Sequence, residues 1–323
     1  MLRSTLLYLS NQPRVFRFVR NNRLARSFAR RFVAGETLDE ALAAVRALNA
    51  TGISASLDEL GESVTNEREA RVTRDHYLQI LDRIADAGLE ANVSVKLTAM
   101  GLDVSEELCV ALMQDLLDRA RQHRTFVRID MESSAHTEIT LRLFEERFYP
   151  SYREHVGIVL QSYLYRTWTD VERAIELRCR VRLCKGAYKE PASVAFPDKQ
   201  DVDEHYAKCV HALLQRGNYP AIATHDPRLI LEAKRFAKTH GIGAQRFEFQ
   251  MLYGVRRDLQ EMLVREGYRM RVYVPFGTQW YPYLMRRLAE RPANIAFMTG
   301  NIVREALSRR PKSLRVPAES RER

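Results

Sequence analysis

Cysteine is scarce in this chain: four among 323 residues, and none of Cys109, Cys179, Cys184 and Cys209 stands at a paired metal-ligand spacing from another. That excludes a cysteine zinc site. All four fall in segments that read as helix or strand, so they read as reduced, buried thiols of a cytosolic protein, not as a disulfide framework. A phosphate loop of the Walker type is missing, and so is the dinucleotide-binding glycine fingerprint. The nearest string, Gly241-Ile242-Gly243, precedes a strand instead of following one. Internal repeats and Pro-rich linkers are also absent. Residues 1–33 contain eight arginines and no acid, and residues 309–323 contain six basic and two acidic residues. Between them lie 37 basic and 39 acidic residues, so the net charge of +10 sits at the two ends. A basic nucleic-acid groove on the body is therefore not expected.

The N-terminal arginines are mixed with Leu6, Leu7, Val15, Phe16, Val19, Leu24, Phe28 and Phe32. No apolar run there approaches the roughly 20 residues of a bilayer-spanning helix, and no signal-peptide core is followed by a cleavage pattern. Three readings of this segment compete. It is a helical arm packing on the main domain, an amphipathic contact with anionic membrane, or an organelle-targeting peptide. Its weak serine content ranks targeting last. The expected organisation is a helical arm over 1–45, a catalytic barrel over 46–310 and a disordered polar tail over 311–323.

The body is rich in apolar residues, 46% of the chain with 9% aromatic, enough for a packed core. Short runs within it alternate apolar and polar residues. In Asn92-Val93-Ser94-Val95-Lys96-Leu97 the odd positions are apolar, and the same holds for Val127-Arg128-Ile129-Asp130-Met131-Glu132. Val181-Arg182-Leu183, Phe247-Glu248-Phe249-Gln250 and Val272-Tyr273-Val274 repeat the pattern. Period two places the two sets on opposite faces of a strand. Strands are predicted over 53–57, 92–97, 126–132, 156–163, 180–185, 221–225, 246–251 and 271–276. Amphipathic helices lie between them, for instance over 73–87 and 106–121, with Gly88 and Gly217 at helix boundaries and Gly267 close to the last strand. Eight strand–helix units of the α/β class make a (β/α)8 barrel, for which this length is normal. Helices cover the apolar faces, so the charged faces point inward. A lone charge there is costly, and stability does not explain the pattern. It marks an enclosed working site.

In such barrels the working residues lie at the C-terminal ends of the strands. That rule selects Lys96, Asp130, Gln161, Arg182, Lys185, His225, Gln250 and Tyr273. Each alone is weak, since a lysine at a strand end is commonly solvated and a lone histidine commonly structural. Eight together are not chance. Lys96 and Asp130 end neighbouring strands with opposite charge. They form either a structural ion pair or a pair that positions an amine, with Lys96 holding Asp130 and meeting a carboxylate. After the eighth strand comes Tyr281-Pro282-Tyr283-Leu284-Met285-Arg286-Arg287-Leu288-Ala289-Glu290. Here Pro282 suits a first helical turn, and Arg286 and Glu290 share a face. Two adjacent guanidinium groups at the barrel rim suit a carboxylate clamp, although a salt-bridged surface helix has the same pattern. Gly186 and Ala187, after Arg182 and Lys185, let the backbone approach a flat or phosphorylated ligand.

These segments resemble the proline dehydrogenase family. The resemblance is carried by Ser94-Val95-Lys96-Leu97, Arg182-Leu183-Cys184-Lys185-Gly186-Ala187-Tyr188, Thr224-His225, Glu248-Phe249-Gln250-Met251-Leu252-Tyr253-Gly254, Tyr273-Val274-Pro275-Phe276-Gly277, and Arg286-Arg287 with Glu290. It runs from about residue 52 to 310 and looks closest to the monofunctional bacterial form. It implies an FAD-dependent barrel that oxidises L-proline to 1-pyrroline-5-carboxylate by hydride transfer from C5 to flavin N5. It further implies that electrons pass to a membrane quinone and that a separate pyrroline-5-carboxylate dehydrogenase takes the product. Lys96, Tyr273, Arg286 and Arg287 are then substrate contacts, with the arginines on the carboxylate and Asp130 beside the ring nitrogen. Met131, Gln161, Arg182, Lys185, Gly186, Ala187, Thr224, His225, Gln250 and Glu290 line the FAD, with Arg182 at its reactive edge, while Tyr188 and Leu252 wall the site. Gly277-Thr278-Gln279-Trp280 departs from the His-Glu type of sequence in the bifunctional members. The expected location is cytoplasmic, peripheral on the inner face of the membrane. The alternatives are a hydroxyproline dehydrogenase and a cofactor-free lyase forming a Schiff base on Lys96 or Lys185.

Overall fold

The computed structural model describes residues 30–290, with side chains described through Met285. Eight parallel strands close into a barrel in chain order. They are β1 Ser54–Glu59, β2 Ala91–Val95, β3 Val127–Ile129, β4 Val156–Gln161, β5 Arg180–Cys184, β6 Ala221–Ala223, β7 Glu248–Leu252 and β8 Arg269–Phe276. The first helices are α1 Leu38–Asn49, α2 Glu67–Asp86, α3 Glu106–Gln122, α4 Ser134–Leu143 and the single turn α5 Tyr149–Tyr152. There follow α6 Thr167–Leu177, α7 Lys199–Arg216, α8 Pro227–Thr239, α9 Arg257–Arg265 and α10 Trp280–Glu290. The barrel falls in one compact unit that ends at Trp280, and α10 from Tyr281 onward falls in a second.

The alternation predicted from sequence is the one that closes the barrel. Val93, Val95, Val127, Ile129, Val181, Leu183, Phe249, Val272 and Val274 are no more than 1% exposed and join the helix stripes in one apolar cluster. In α2 that stripe is Ala70, Tyr77, Ile80, Leu81 and Ile84, the spacing of one helical face. Each such side chain contributes roughly 1.5–3 kcal/mol by leaving water. Helix ends follow the sequence signals. Asn66 accepts from Glu69 N at 3.0 Å to start α2, and Gly88 at φ +59 follows its end. Thr37 and Glu40 form a reciprocal capping box on α1.

All eight predicted strands are present, with two instructive differences. β3 stops at Ile129, not at 132, and beyond it the Glu132 carboxylate accepts from Thr98 N at 3.2 Å and Thr98 Oγ1 at 2.6 Å. The boundary expected at residue 45 falls inside α1, since Ala41, Leu42 and Val45 are buried against the barrel cluster. Of the cysteines, Cys109, Cys179 and Cys209 are buried but Cys184 is only half-buried. The rest of the expected arm and the expected polar tail lie outside the described residues. Among the described residues no helix is long and apolar enough to cross a membrane.

Candidate active site

The inward faces of the strands carry a connected set of charges, and Arg182 on β5 is its hub. Its Nη1 donates to Asp130 Oδ1, just past the end of β3, at 2.7 Å, and its Nε donates to Gln250 Oε1 on β7. Its Nη2 donates to Ser94 Oγ on β2 at 3.0 Å and to Ser56 Oγ on β1 at 3.4 Å. The guanidinium carbon lies 5.3 Å from the Tyr273 ring centroid on β8. A side chain that reaches residues of four other strands and Asp130 beyond a fifth must point into the barrel. Arg182 is 6% exposed. The planar fork of arginine suits three acceptor directions at once, which a lysine does not.

Each oxygen of Asp130 is engaged, the first by this arginine. Its second oxygen accepts from the Tyr273 hydroxyl at 2.8 Å. The expectation that Lys96 holds Asp130 is corrected by the partner the ammonium has. Lys96 Nζ donates instead to Asp58, at 3.1 Å to Oδ1 and 3.4 Å to Oδ2. Burial works against the Lys96 ammonium, but Asp58 and then Asp130 outweigh it and hold its pKa above the ordinary lysine value. Burial raises the Asp58 carboxyl, and the neighbouring Asp130 adds to this against the opposing pull of Lys96. Burial and then the Asp130 charge push the Tyr273 phenol well up, so it stays a donor.

A second layer lies nearer the N-terminal ends of the strands. Arg271 Nε donates to Glu248 at 3.0 and 3.2 Å, and its Nη1 to Asn92 Oδ1 at 3.0 Å. Gln250 Nε2 donates to Glu248, which links this layer to Arg182. Burial raises the Glu248 carboxyl, but Arg271 and its hydrogen bonds more than reverse this and leave it below the usual carboxylate value. Arg128 donates through Nη1 to Ile158 O at 3.1 Å and Arg180 O at 2.6 Å. Burial and the neighbouring Arg182 pull it down to about 9. The space it fills explains Gly157 on β4: a Cβ there would lie 2.6 Å from Arg128 Nη1.

The residues expected to line a flavin lie at the C-terminal ends of β3 to β7. Met131 follows Asp130, and Gln161 Nε2 donates to Met131 O at 3.4 Å. Gln161 Oε1 is buried with no hydrogen-bond partner, a costly state unless a ligand donor completes it. Gly186 has φ +111, and a Cβ there would lie 2.3 Å from the Tyr163 ring, so only glycine fits this turn. Ala187 and Tyr188 follow it, half-buried. Lys185 Nζ lies 2.5 Å from Asp203 and 3.5 Å from Asp226. Thr224 Oγ1 accepts from Asp226 N at 3.1 Å. His225 Nε2 accepts from Leu252 N at 2.8 Å, which fixes its ring and leaves Nδ1 to carry the proton. A buried amide acceptor beside a close-approach glycine and a fixed imidazole fits a flat ring bearing an N–H, as an isoalloxazine does.

The structure thus brings Lys96, Asp130, Gln161, Arg182, Gln250 and Tyr273 to one barrel mouth. Arg286, Arg287 and Glu290 fall on α10, and their side chains lie outside the described residues. Sequence reasoning missed Asp58, Ser56, Ser94, Arg128, Glu248 and Arg271 as members of the network. Ending the first strand at residue 57 hid Asp58, although Ser54-Ala55-Ser56-Leu57-Asp58 continues the alternation. The Schiff-base reading meets a physical obstacle. Lys96 is held as an ammonium by Asp58, and Lys185 is paired with two carboxylates, whereas a nucleophilic amine must be neutral.

Comparison with known proteins agrees with this geometry. The proline dehydrogenase family model matches residues 41–300. Proline dehydrogenase 1 of Bacillus subtilis subsp. natto is 44% identical over 310 residues, covering 94% of this chain and 100% of that one. The proline dehydrogenase of Deinococcus radiodurans is 41% identical, covering 94% and 98%. Among solved structures, proline utilization A from Bdellovibrio bacteriovorus inactivated by N-propargylglycine superposes with a TM-score of 0.78 at 28% identity. That match covers 83% of this chain and 33% of the larger protein. The closed barrel, the charges gathered inside it and these relatives converge: the chain belongs to the proline dehydrogenase family, resembles its monofunctional bacterial members over their length, and is an oxidoreductase of proline.

Proposed function

We propose that the chain is an FAD enzyme that oxidises L-proline to 1-pyrroline-5-carboxylate and passes the electrons to a membrane quinone. The observation that carries this reading is Asp130, oriented by Arg182 at 2.7 Å and Tyr273 at 2.8 Å at the mouth of a barrel lined with charge. When bound, FAD supplies a two-electron acceptor at N5 for the hydride that leaves C5 of the substrate. The protein's share is to bind, orient and neutralise. The proline nitrogen must be unprotonated as C5 loses its hydride, because its lone pair forms the C=N bond. The nitrogen becomes cationic as that bond forms. Asp130 is the carboxylate placed to stabilise that charge, and its two hydrogen bonds fix its orientation.

The substrate carboxylate is taken by Lys96 together with Arg286 and Arg287. Ammonium nitrogen has three donors, and Asp58 occupies Lys96 at 3.1 and 3.4 Å without exhausting them. Met131, Gln161, Lys185, Gly186, Ala187, Thr224, His225, Gln250 and Glu290 hold the cofactor, with Arg182 at its reactive edge and Tyr188 and Leu252 as walls. Proline is preferred to hydroxyproline as substrate because the curated relatives named above are proline dehydrogenases.

Arg286→Met or Arg287→Met should raise KM for proline about tenfold or more, with flavin content retained. Parent-like KM in both variants would remove the clamp from the account. The arginine-rich arm suits an enzyme whose acceptor is dissolved in a membrane. Deleting residues 1–33 should abolish co-sedimentation with anionic vesicles; unchanged sedimentation would exclude the arm as the contact. Function itself is tested by denaturing the purified chain, identifying the released chromophore, and assaying proline-dependent reduction of a soluble quinone. Release of FAD and turnover with proline are expected. A colourless protein that traps a carbonyl substrate on lysine with borohydride would contradict the reading.

A further inference from the structure

The two carboxylates at the barrel mouth are not equivalent. Asp130 has one oxygen on Arg182 and the other on Tyr273. Asp58, at the end of β1, faces Lys96 with both oxygens, and its side chain is 2% exposed. It is also held from behind: the Tyr77 hydroxyl of α2 lies 3.4 Å from Asp58 Oδ1 and 2.9 Å from Ser94 O. Lys96 carries its charge on a four-carbon stem with many rotamers, and it follows the last residue of β2. Without an anchor that charge would swing. Asp58 supplies the anchor, since the Lys96 hydrogen bonds run to it, while Asp130 accepts from Arg182 and Tyr273.

We propose that Asp58 is a positioning residue for proline oxidation, anchoring the Lys96 ammonium so that a remaining N–H is held ready for the substrate carboxylate. This rests on Lys96 being a substrate contact, as given above. The anchor sits on the neighbouring strand, whose register with β2 pairs Leu57 with Val93, so the ladder fixes Asp58 and the residue from which Lys96 follows.

The test is steady-state kinetics of the flavin-loaded full chain for Asp58→Asn, Asp58→Glu, Lys96→Met and the double variant Asp58→Asn/Lys96→Met. Asp58→Asn should raise KM for proline about tenfold, with kcat changed by less than about threefold. The double variant should have a KM no higher than Lys96→Met alone, because both changes remove one interaction. Asp58→Glu keeps the charge one methylene further out and should fall between parent and Asp58→Asn. A structural role alone would lower stability without this coupling. If Lys96→Met raises KM and Asp58→Asn does not, the anchor is refuted while the substrate reading stands. If Lys96→Met leaves KM at the parent value, the substrate reading itself fails. Should Asp58→Asn not fold, Asp58→Glu must still show a raised KM, and a parent-like value there overturns the proposal.

Discussion

Arg182→Met should lower kcat by about 10²–10³-fold, the range seen when a preorganised donor is removed from a reacting centre. The expectation follows from what the guanidinium touches. It binds Asp130, Gln250, Ser94 and Ser56 together, so methionine fills the volume but leaves Asp130 without its cation and Gln250 Oε1 without its donor, while Ser56 and Ser94 keep their mutual bond at 3.0 Å. Asp130 would then turn toward other donors and lose the orientation that serves the substrate nitrogen. Arg182→Lys should rescue only part of the loss, because an ammonium meets one direction where the fork meets several. The cycle with Asp130→Asn should be strongly non-additive, since each change spoils the same pair. Stopped-flow reduction by proline measures this directly. A kcat within about twofold of the parent would assign Arg182 to structure alone.

Glu248→Gln should cost about 3–5 kcal/mol of stability, the usual consequence of removing one partner of a buried ion pair. Glu248 is 4% exposed and accepts from Arg271, Gln250 and Tyr219. With glutamine in its place, Arg271 is left in the barrel without an anion, and Arg128 loses an attractive neighbour. The sign of the pH effect follows from the lowered carboxyl. A group whose folded value lies below its ordinary 4.5 stabilises the fold above that pH. It loses that contribution as pH falls toward and through the folded value. Thermal melts of the parent should therefore weaken on acidification below about pH 4.5, and Glu248→Gln should lack that part of the acid limb. Identical melting profiles in parent and variant would show that the lower layer does not stabilise the barrel.

Much of the architecture was legible because period two is a direct imprint of a strand with one face against helices. Val93 with Val95, and Val272 with Val274, marked outer faces. Lys96, Asp130, Arg182 and Tyr273 marked the inner one. The pairing of those charges was not legible. Which carboxylate meets Lys96 depends on strand register and on the reach of a long side chain, and both come from three dimensions. Asp58 is hidden when the first strand ends at 57, two residues short of its end at Glu59, and Glu248 because its layer lies below the mouth. Glu132 had the right spacing for an inward charge, yet it lies beyond the end of β3 and bonds to Thr98.

Proline oxidation by this chain requires a redox-active flavin at the barrel mouth that is reduced by the ring carbon of proline. The most direct measurement is anaerobic mixing of the purified chain with proline and with proline deuterated at C5, followed by visible absorbance. The expected result is a yellow protein that bleaches without oxygen, several-fold more slowly with the deuterated substrate because the C5–H bond breaks in that step. A colourless protein, or a yellow one whose spectrum proline leaves unchanged, would contradict it.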